Sequence, residues 1–345
     1  MKRIMTLFLA AGFASAAFAA DITWSGVDGF WKTDANWLAG KEPADNDTAI
    51  FPVGGYTVNI DKSVLTGKDN TGLGAVLVAE GESDLPVVFR DTGLHTLNIA
   101  AGGNTPGFIV GSGRNAAIDG IHLLIGGYRH LEICKDSTLS VDSGKVTIKS
   151  GNIIVNTNAT LNINGGTVAY GSDGYYLKLA KNATVRFNGG SNALGRIVNR
   201  ISEKNGEPIS EFDGDGSKVV FAGGHNIFTD SSALTSYIDY SKTDFSFTGG
   251  KLELSQRIVN NLRVFLPPKD GILISRVEGL CVEDEASTNN TWEIGGTAYF
   301  TGSGSYPNLG WGPGNVLKGG GELHFDILRI GANLVEADIS KIVII

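Results

Sequence analysis

The sequence predicts an all-β fold, a right-handed single-stranded parallel β-helix (a β-solenoid) with a tryptophan-rich N-terminal cap. Three observations carry that expectation: two-residue hydrophobic alternation along most of the chain, a strand-and-turn unit that recurs, and 48 glycines against 9 prolines in 345 residues. The glycine share is about twice the usual 7%, and without a Gly-X-Y period it reads as turn punctuation rather than collagen.

Taken in chain order, residues 1–19 come first. Lys2 and Arg3 lead an apolar run from Ile4 to Phe13, and Ala17-Phe18-Ala19 closes it. That is the order of a secretory signal peptide cut after Ala19, so export is expected. No later apolar stretch is long enough to span a bilayer as a helix, so no transmembrane span is predicted. Loss of the leader leaves 26 basic against 36 acidic residues, a net charge near −10. Such a surface repels phosphate backbones, and nucleic acid is excluded as a partner.

Residues 20–60 form the predicted cap. Trp24, Trp31 and Trp37 fall close together, and three large aromatics can close the apolar end of a stack. The competing reading makes them a carbohydrate-stacking platform.

Residues 61–345 form the predicted solenoid. Val146/Ile148, Leu161/Ile163, Leu177/Leu179, Val185/Phe187, Phe245/Phe247 and Leu252/Leu254 place apolar side chains two apart, on one side of a pleated strand. Thr-apolar-x-apolar followed by small polar residues and glycine begins at Thr96, Thr138, Thr160 and Thr184, with looser copies at Lys218 and Asp244. The intervals are 42, 22, 24, 34 and 26 residues. The first reads as two units, and the 34 as one unit carrying an insertion, assigned to the polar segment 200–216. A propeller blade takes about 40 residues, whereas three short strands and three turns fit about 24. The crossover rule gives the right-handed winding. At about 24 residues per coil the chain makes roughly 11–13 coils, a rod of about 50–60 Å. The Asn-Gly-Gly turns at 164–166 and 188–190 are read as corners in which Asn and Gly tolerate positive φ. Cys134 and Cys281 both lie in apolar alternating contexts, and both a long-loop disulfide and two separate thiols stay open.

Motifs with chemical meaning dissolve on inspection. Gly111-x-Gly113-x-x-Ala116 matches a dinucleotide fingerprint only if a helix follows, and strand alternation follows instead. Asp213-Gly-Asp-Gly lacks the glycine and glutamate an EF-hand needs further on, so a solvated turn is expected. The five histidines show no zinc-ligand spacing, and no nucleophile elbow occurs after the leader. No cofactor, metal ligand or catalytic residue is predicted.

The run Thr-Trp-Ser-Gly, Gly-Phe-Trp, Ala-Asn-Trp, Gly-Lys-Glu-Pro, Asp-Asn-Asp-Thr-Ala-Ile-Phe and Tyr-Thr-Val-Asn within residues 23–60 resembles the leader of exported bacterial autotransporter-passenger-like proteins, of the autotransporter-associated repeat type. The resemblance implies a surface or secreted β-helix and carries over no catalytic residue. The chain departs from the family in that no barrel-sized region follows the solenoid, which ends at "ISKIVII".

The expected role is structural or adhesive: an extracellular, cell-surface or periplasmic rod displaying loops such as 200–216 and 302–315, with glycans or matrix components as partners. Candidate glycan contacts are Trp24, Trp31 and Trp37, together with Tyr306 and Trp311 in the glycine-rich 302–315 loop. The alternatives are a polysaccharide lyase or glycoside hydrolase of the pectin-lyase-like type, or a glycan-binding module. Hydrolysis needs two facing carboxylates. Asp239, Asp244, Arg257, Arg263 and Asp270 are the residues that could gather on one face for such work.

Overall fold

The computed structural model describes residues 19–64, 72–100, 105–171, 175–198, 203–204, 207–208, 213–228, 242–254, 266–275, 291–300, 308–309, 315–325, 329–330, 334–337 and 341–344. Almost all of the regular structure among them is parallel strand, stacked into three long faces of a solenoid of about nine turns. The first face has 8 strands, from Asp21–Thr23 to Arg196–Val198. The second has 9, from Gly29–Phe30 to Thr243–Phe247, and the third has 11, from Thr96–Ile99 to Lys341–Ile344. A typical turn runs His130–Ile133, Thr138–Val141, Lys145–Ile148, and each strand pairs in register with its counterpart one turn on.

Alternation sets the inside of the cylinder. Leu139, Leu161 and Val185 stack on the second face, Val146 and Val168 on the third, and all are at most 1% exposed. Each such side chain contributes about 1.5–3 kcal/mol relative to an exposed one. The early turns are longer than the later ones: Tyr56 pairs with Val87, whereas Leu139 pairs with Leu161.

The repeat marker is a true register on the second face. Thr138, Thr160, Thr184, Lys218 and Asp244 occupy one column. Thr96 does not belong to it: its strand opens the third face, paired with His122–Ile125. Its interval to Thr138 is therefore a change of face and not two coils. The insertion at 200–216 includes a short antiparallel pair, Glu203–Lys204 with Glu207–Pro208, and Thr184 still pairs with Lys218 across it.

The leader is built into the stack. Asp21–Thr23 pairs with Thr48–Phe51, and Gly29–Phe30 with Tyr56–Asn59, both parallel. Asp47 fastens its start, accepting the Ala20 N–H at 2.8 Å and the Ala44 N–H at 2.9 Å. Trp24, Trp31 and Trp37 close the end of the lumen, with Trp24 and Trp31 each edge-on to Trp37 at 4.9 Å between ring centres. Phe51 packs beneath them, followed by Phe89 and Phe108, so the cap continues into an aromatic column along the core.

Two corners show why the sequence repeats. Between the first and second faces, Gly113, Asp136, Asn158, Asn182 and Gly216 all take positive φ, from 56° to 71°. The N–H of each of the first four donates to a carbonyl in the following turn: Lys135, Thr157, Lys181 and Asp215. Between the second and third faces the left-handed residue is the last glycine of the turn, as at Gly166, Gly190, Gly224 and Gly250. Asn164 and Asn188 thus do not supply the positive φ expected of them; their side chains do something else, taken up in the Discussion.

Candidate functional site

The second face is interrupted near its C-terminal end. One turn after Thr243–Phe247, the described residues between the third-face strands Lys251–Leu254 and Ile272–Ser275 include Pro267 and Pro268, which have no N–H to donate to a ladder. The nine-stranded sheet stops there. A separate three-stranded parallel sheet, beginning at Thr291–Glu293 and continuing through Asn315–Lys318 and Leu334–Ala337, takes the same place in the turns that follow. The third face runs past the break without a gap, through Lys251–Leu254, Ile272–Ser275 and Thr297–Phe300. The Pro267 carbonyl bridges the break, accepting the N–H groups of Gly295 at 2.9 Å and Gly296 at 3.1 Å.

The interruption leaves a cleft of about 540 Å3, within the usual size range of ligand sites. Phe245, Phe247, Leu266 and Pro268 give it apolar walls. Ser246, Thr291, Lys269 and Glu293 supply two hydroxyls, an ammonium and a carboxylate, and the backbones of Gly295 and Gly319 complete it. Phe245 and Phe247 are each 9% exposed, whereas Phe221, one turn earlier in the same column as Phe247, is fully covered. Glu293 lies 3.7 Å from Lys318 across the adjoining strands. Glu293 is the single carboxylate among the described lining residues, where glycoside hydrolysis uses a facing pair.

The residues singled out in the sequence fall elsewhere. Trp24, Trp31 and Trp37 expose 0, 0 and 2% of their surface, so no indole face is open to a sugar ring. The platform reading gives way to the capping one. Two of the three indole N–H groups are committed to backbone, Trp24 to Val27 and Trp37 to Trp31, both at 2.8 Å. Tyr306 and Trp311 lie outside the described residues, as do Cys281, Asp239, Arg257 and Arg263. Asp244 sits on an outward position of Thr243–Phe247, and Asp270 in the turn after the prolines with φ of 67°. The signal that sequence reasoning missed was Pro267-Pro268 itself, two strand-breaking residues inside an alternating pattern.

Several carboxylates on the described surface are engaged. At the outer corner between the second and third faces, Asp119 accepts from Ser143 Oγ and Arg90 Nε, both at 2.8 Å. These bonds hold its carboxyl below the usual range, the opposite of what a general acid requires. Asp142, the next rung, accepts from Asn164. Asp213 is paired with Lys242 at 2.7 Å, an interaction that keeps it ionised. Among the described residues no group of three or more His, Cys, Asp or Glu side chains is placed to hold a metal ion. Burial, with Glu132 and Glu80 nearby, pushes the free Cys134 thiol up to about 11, far from a reactive thiolate. Pro106–Val110 and Asn115–Asp119 are two strands joined through residues 111–114, so the dinucleotide spacing falls on a turn that runs into a strand.

No family model, curated protein or solved structure matches the chain. Among the described residues no helix is long and apolar enough to cross a membrane.

Proposed function

We propose that this chain is an exported scaffold: a β-solenoid with a structural or adhesive role that carries loops at a cell surface, in the periplasm or in a matrix, and catalyses no reaction itself. The observation that carries the reading is continuity of register through the insertion. Thr184 pairs with Lys218 as regularly as Thr160 pairs with Thr184, although the segment between them departs from the stack into its own antiparallel pair. A stack that tolerates such a departure can vary its displayed segments without altering its core. The order of residues 1–19 and the likeness of residues 23–60 to surface-protein leaders support export.

The test is to place an epitope tag between Lys204 and Glu207 and express the full chain in a bacterium. Expected are a mature N-terminus at Ala20 by mass spectrometry and a tag accessible to antibody on intact cells or in the medium. An unprocessed chain confined to the cytoplasm would sink the proposal.

A further inference from the structure

We propose that the cleft at the break in the second face binds a neutral saccharide. The inference goes beyond the scaffold reading and stands or falls separately from it. A sugar ring has two kinds of surface, an apolar C–H face and a rim of hydroxyls that both donate and accept. The cleft offers a counterpart to each. Phe245, Phe247 and Pro268 give the cleft an apolar lining against which C–H groups can pack. Around them Ser246 and Thr291 can donate or accept, Glu293 accepts and Lys269 donates.

The charge balance argues for a neutral ligand. Among the described lining residues one ammonium and one carboxylate balance, so the lining itself carries no net charge to select an anion; Lys318, 3.7 Å from Glu293, lies outside it. The mixture also disfavours a lipid chain, since binding one would strip water from four polar side chains without replacing their hydrogen bonds. The site is anchored on both sides by regular structure. Phe245 and Phe247 belong to a strand paired with Ser217–Phe221, while Thr291 and Glu293 are paired with Val316 and Lys318. Gly295 and Gly319 line the cleft with backbone and are needed for close packing, since a Cβ would stand 2.7 Å from the Lys269 nitrogen at the first and 2.5 Å from the Ile294 carbonyl oxygen at the second.

The experiment probes the purified chain on an array of neutral hexose and N-acetylhexosamine oligosaccharides beside anionic ones, followed by calorimetry with the strongest binder. Thr291 and Glu293 are exposed, so changes there spare the core. Thr291→Trp should obstruct the cleft, and Ser246→Tyr is a second obstruction on the opposite strand. Glu293→Gln should weaken binding about tenfold, the equivalent of one charge-assisted hydrogen bond. Leu38→Ala, an exposed change in the cap, should leave it unchanged. Retention of neutral glycans that both obstructing variants abolish, with melting temperature preserved, is the expected result. No retained glycan, retention of anionic glycans alone, or binding that survives both obstructions would each overturn the assignment.

Discussion

Asn188 donates its Nδ2 to Oδ1 of Asn164 at 2.8 Å, and Asn164 donates in the same sense to Asp142 at 2.7 Å. The three occupy one column at the corner between the second and third faces, so identical side chains one turn apart become each other's hydrogen-bond partners. A parallel column repeats at Asp136, Asn158 and Asn182, with bonds of 2.8 and 3.0 Å. A third link lies inside the cylinder, where Asn192 donates to the fully buried Asn226 at 2.8 Å. Stacked amides of this kind stabilise in-register parallel strands, as they do in cross-β assemblies. Asn164→Asp tests the direction of the outer ladder. It removes the donor to Asp142 and sets two carboxylates one strand spacing apart. The expected cost at neutral pH is about 1 kcal/mol, kept small by the exposure of the site. The loss should shrink in acid, where one protonated carboxyl donates again. Urea titrations at both pH values check this, and a pH-independent loss would contradict the ladder.

The glycines of the same corner are required by contact as well as by φ. Gly224 has φ of 71°, and a Cβ there would stand 2.6 Å from the carbonyl oxygens of Gly189 and Gly190 in the preceding turn. Gly40, at φ of 66°, has nothing within 4 Å of that position. Gly40→Ala should therefore cost only the left-handed penalty of about 1–2 kcal/mol. Gly224→Ala adds a backbone collision that can be relieved only by separating two turns, and should cost clearly more. Equal melting-temperature losses in the two variants would show that turn spacing is not the constraint.

How far the sequence revealed this architecture depends on what each residue pattern can distinguish. Alternation and the repeat at Thr138, Thr160 and Thr184 were enough for the solenoid, because stacking forces equivalent residues into columns. The same pattern could not say which face a strand joins: "TLNI" at Thr96 and at Thr160 lie on different faces. The spacing of the three tryptophans suits a cap and a platform equally, and burial alone separates them. An Asn-Gly-Gly turn does not say which of its residues takes positive φ; here Gly166 and Gly190 take it, and Asn164 and Asn188 stack on each other. The cleft was within reach, since adjacent prolines bar a strand, but its lining comes from segments far apart in sequence.

Arg114 offers a different test. It is fully buried at the corner between the first and second faces, and its guanidinium donates to the carbonyls of Gly54 at 2.9 Å, Ala79 at 3.2 Å and Pro52 at 3.5 Å. Burial lowers its proton affinity. It fastens earlier turns together by satisfying carbonyls that point into a dry corner. Arg114→Ala should cost about 3 kcal/mol or more, combining a cavity with buried acceptors left unpaired. Arg114→Lys should recover only part of that, because one ammonium cannot span three carbonyls in the manner of a planar fork. Chemical denaturation of both variants measures the difference; full rescue by lysine would reduce the role of Arg114 to charge alone.

His130 makes the stack sensitive to mild acid. Its Nδ1 accepts the backbone N–H of Asn152 in the next turn at 3.0 Å, which requires an unprotonated nitrogen there. Burial, reinforced by Lys178, holds its pKa below the ordinary 6.5. His122 is depressed likewise, by burial and by Lys145 and Lys149, with its ring between Thr96 and Thr147. A base whose folded pKa is lowered binds its proton more readily once unfolded. Its contribution is therefore fully present above the unfolded value, near 6.5, and is lost as pH falls from there through the folded value. The carboxylates Asp91 and Asp119, held below their ordinary range, surrender their share only at lower pH, so the histidine effect precedes them. Unfolding free energy measured from neutral pH down to about pH 5 should decline with a slope of proton uptake by the unfolded chain. His130→Asn preserves an acceptor for Asn152 while removing the proton site, and should flatten that slope without a large loss at neutral pH. An unchanged slope in this variant would assign the acid sensitivity to other groups.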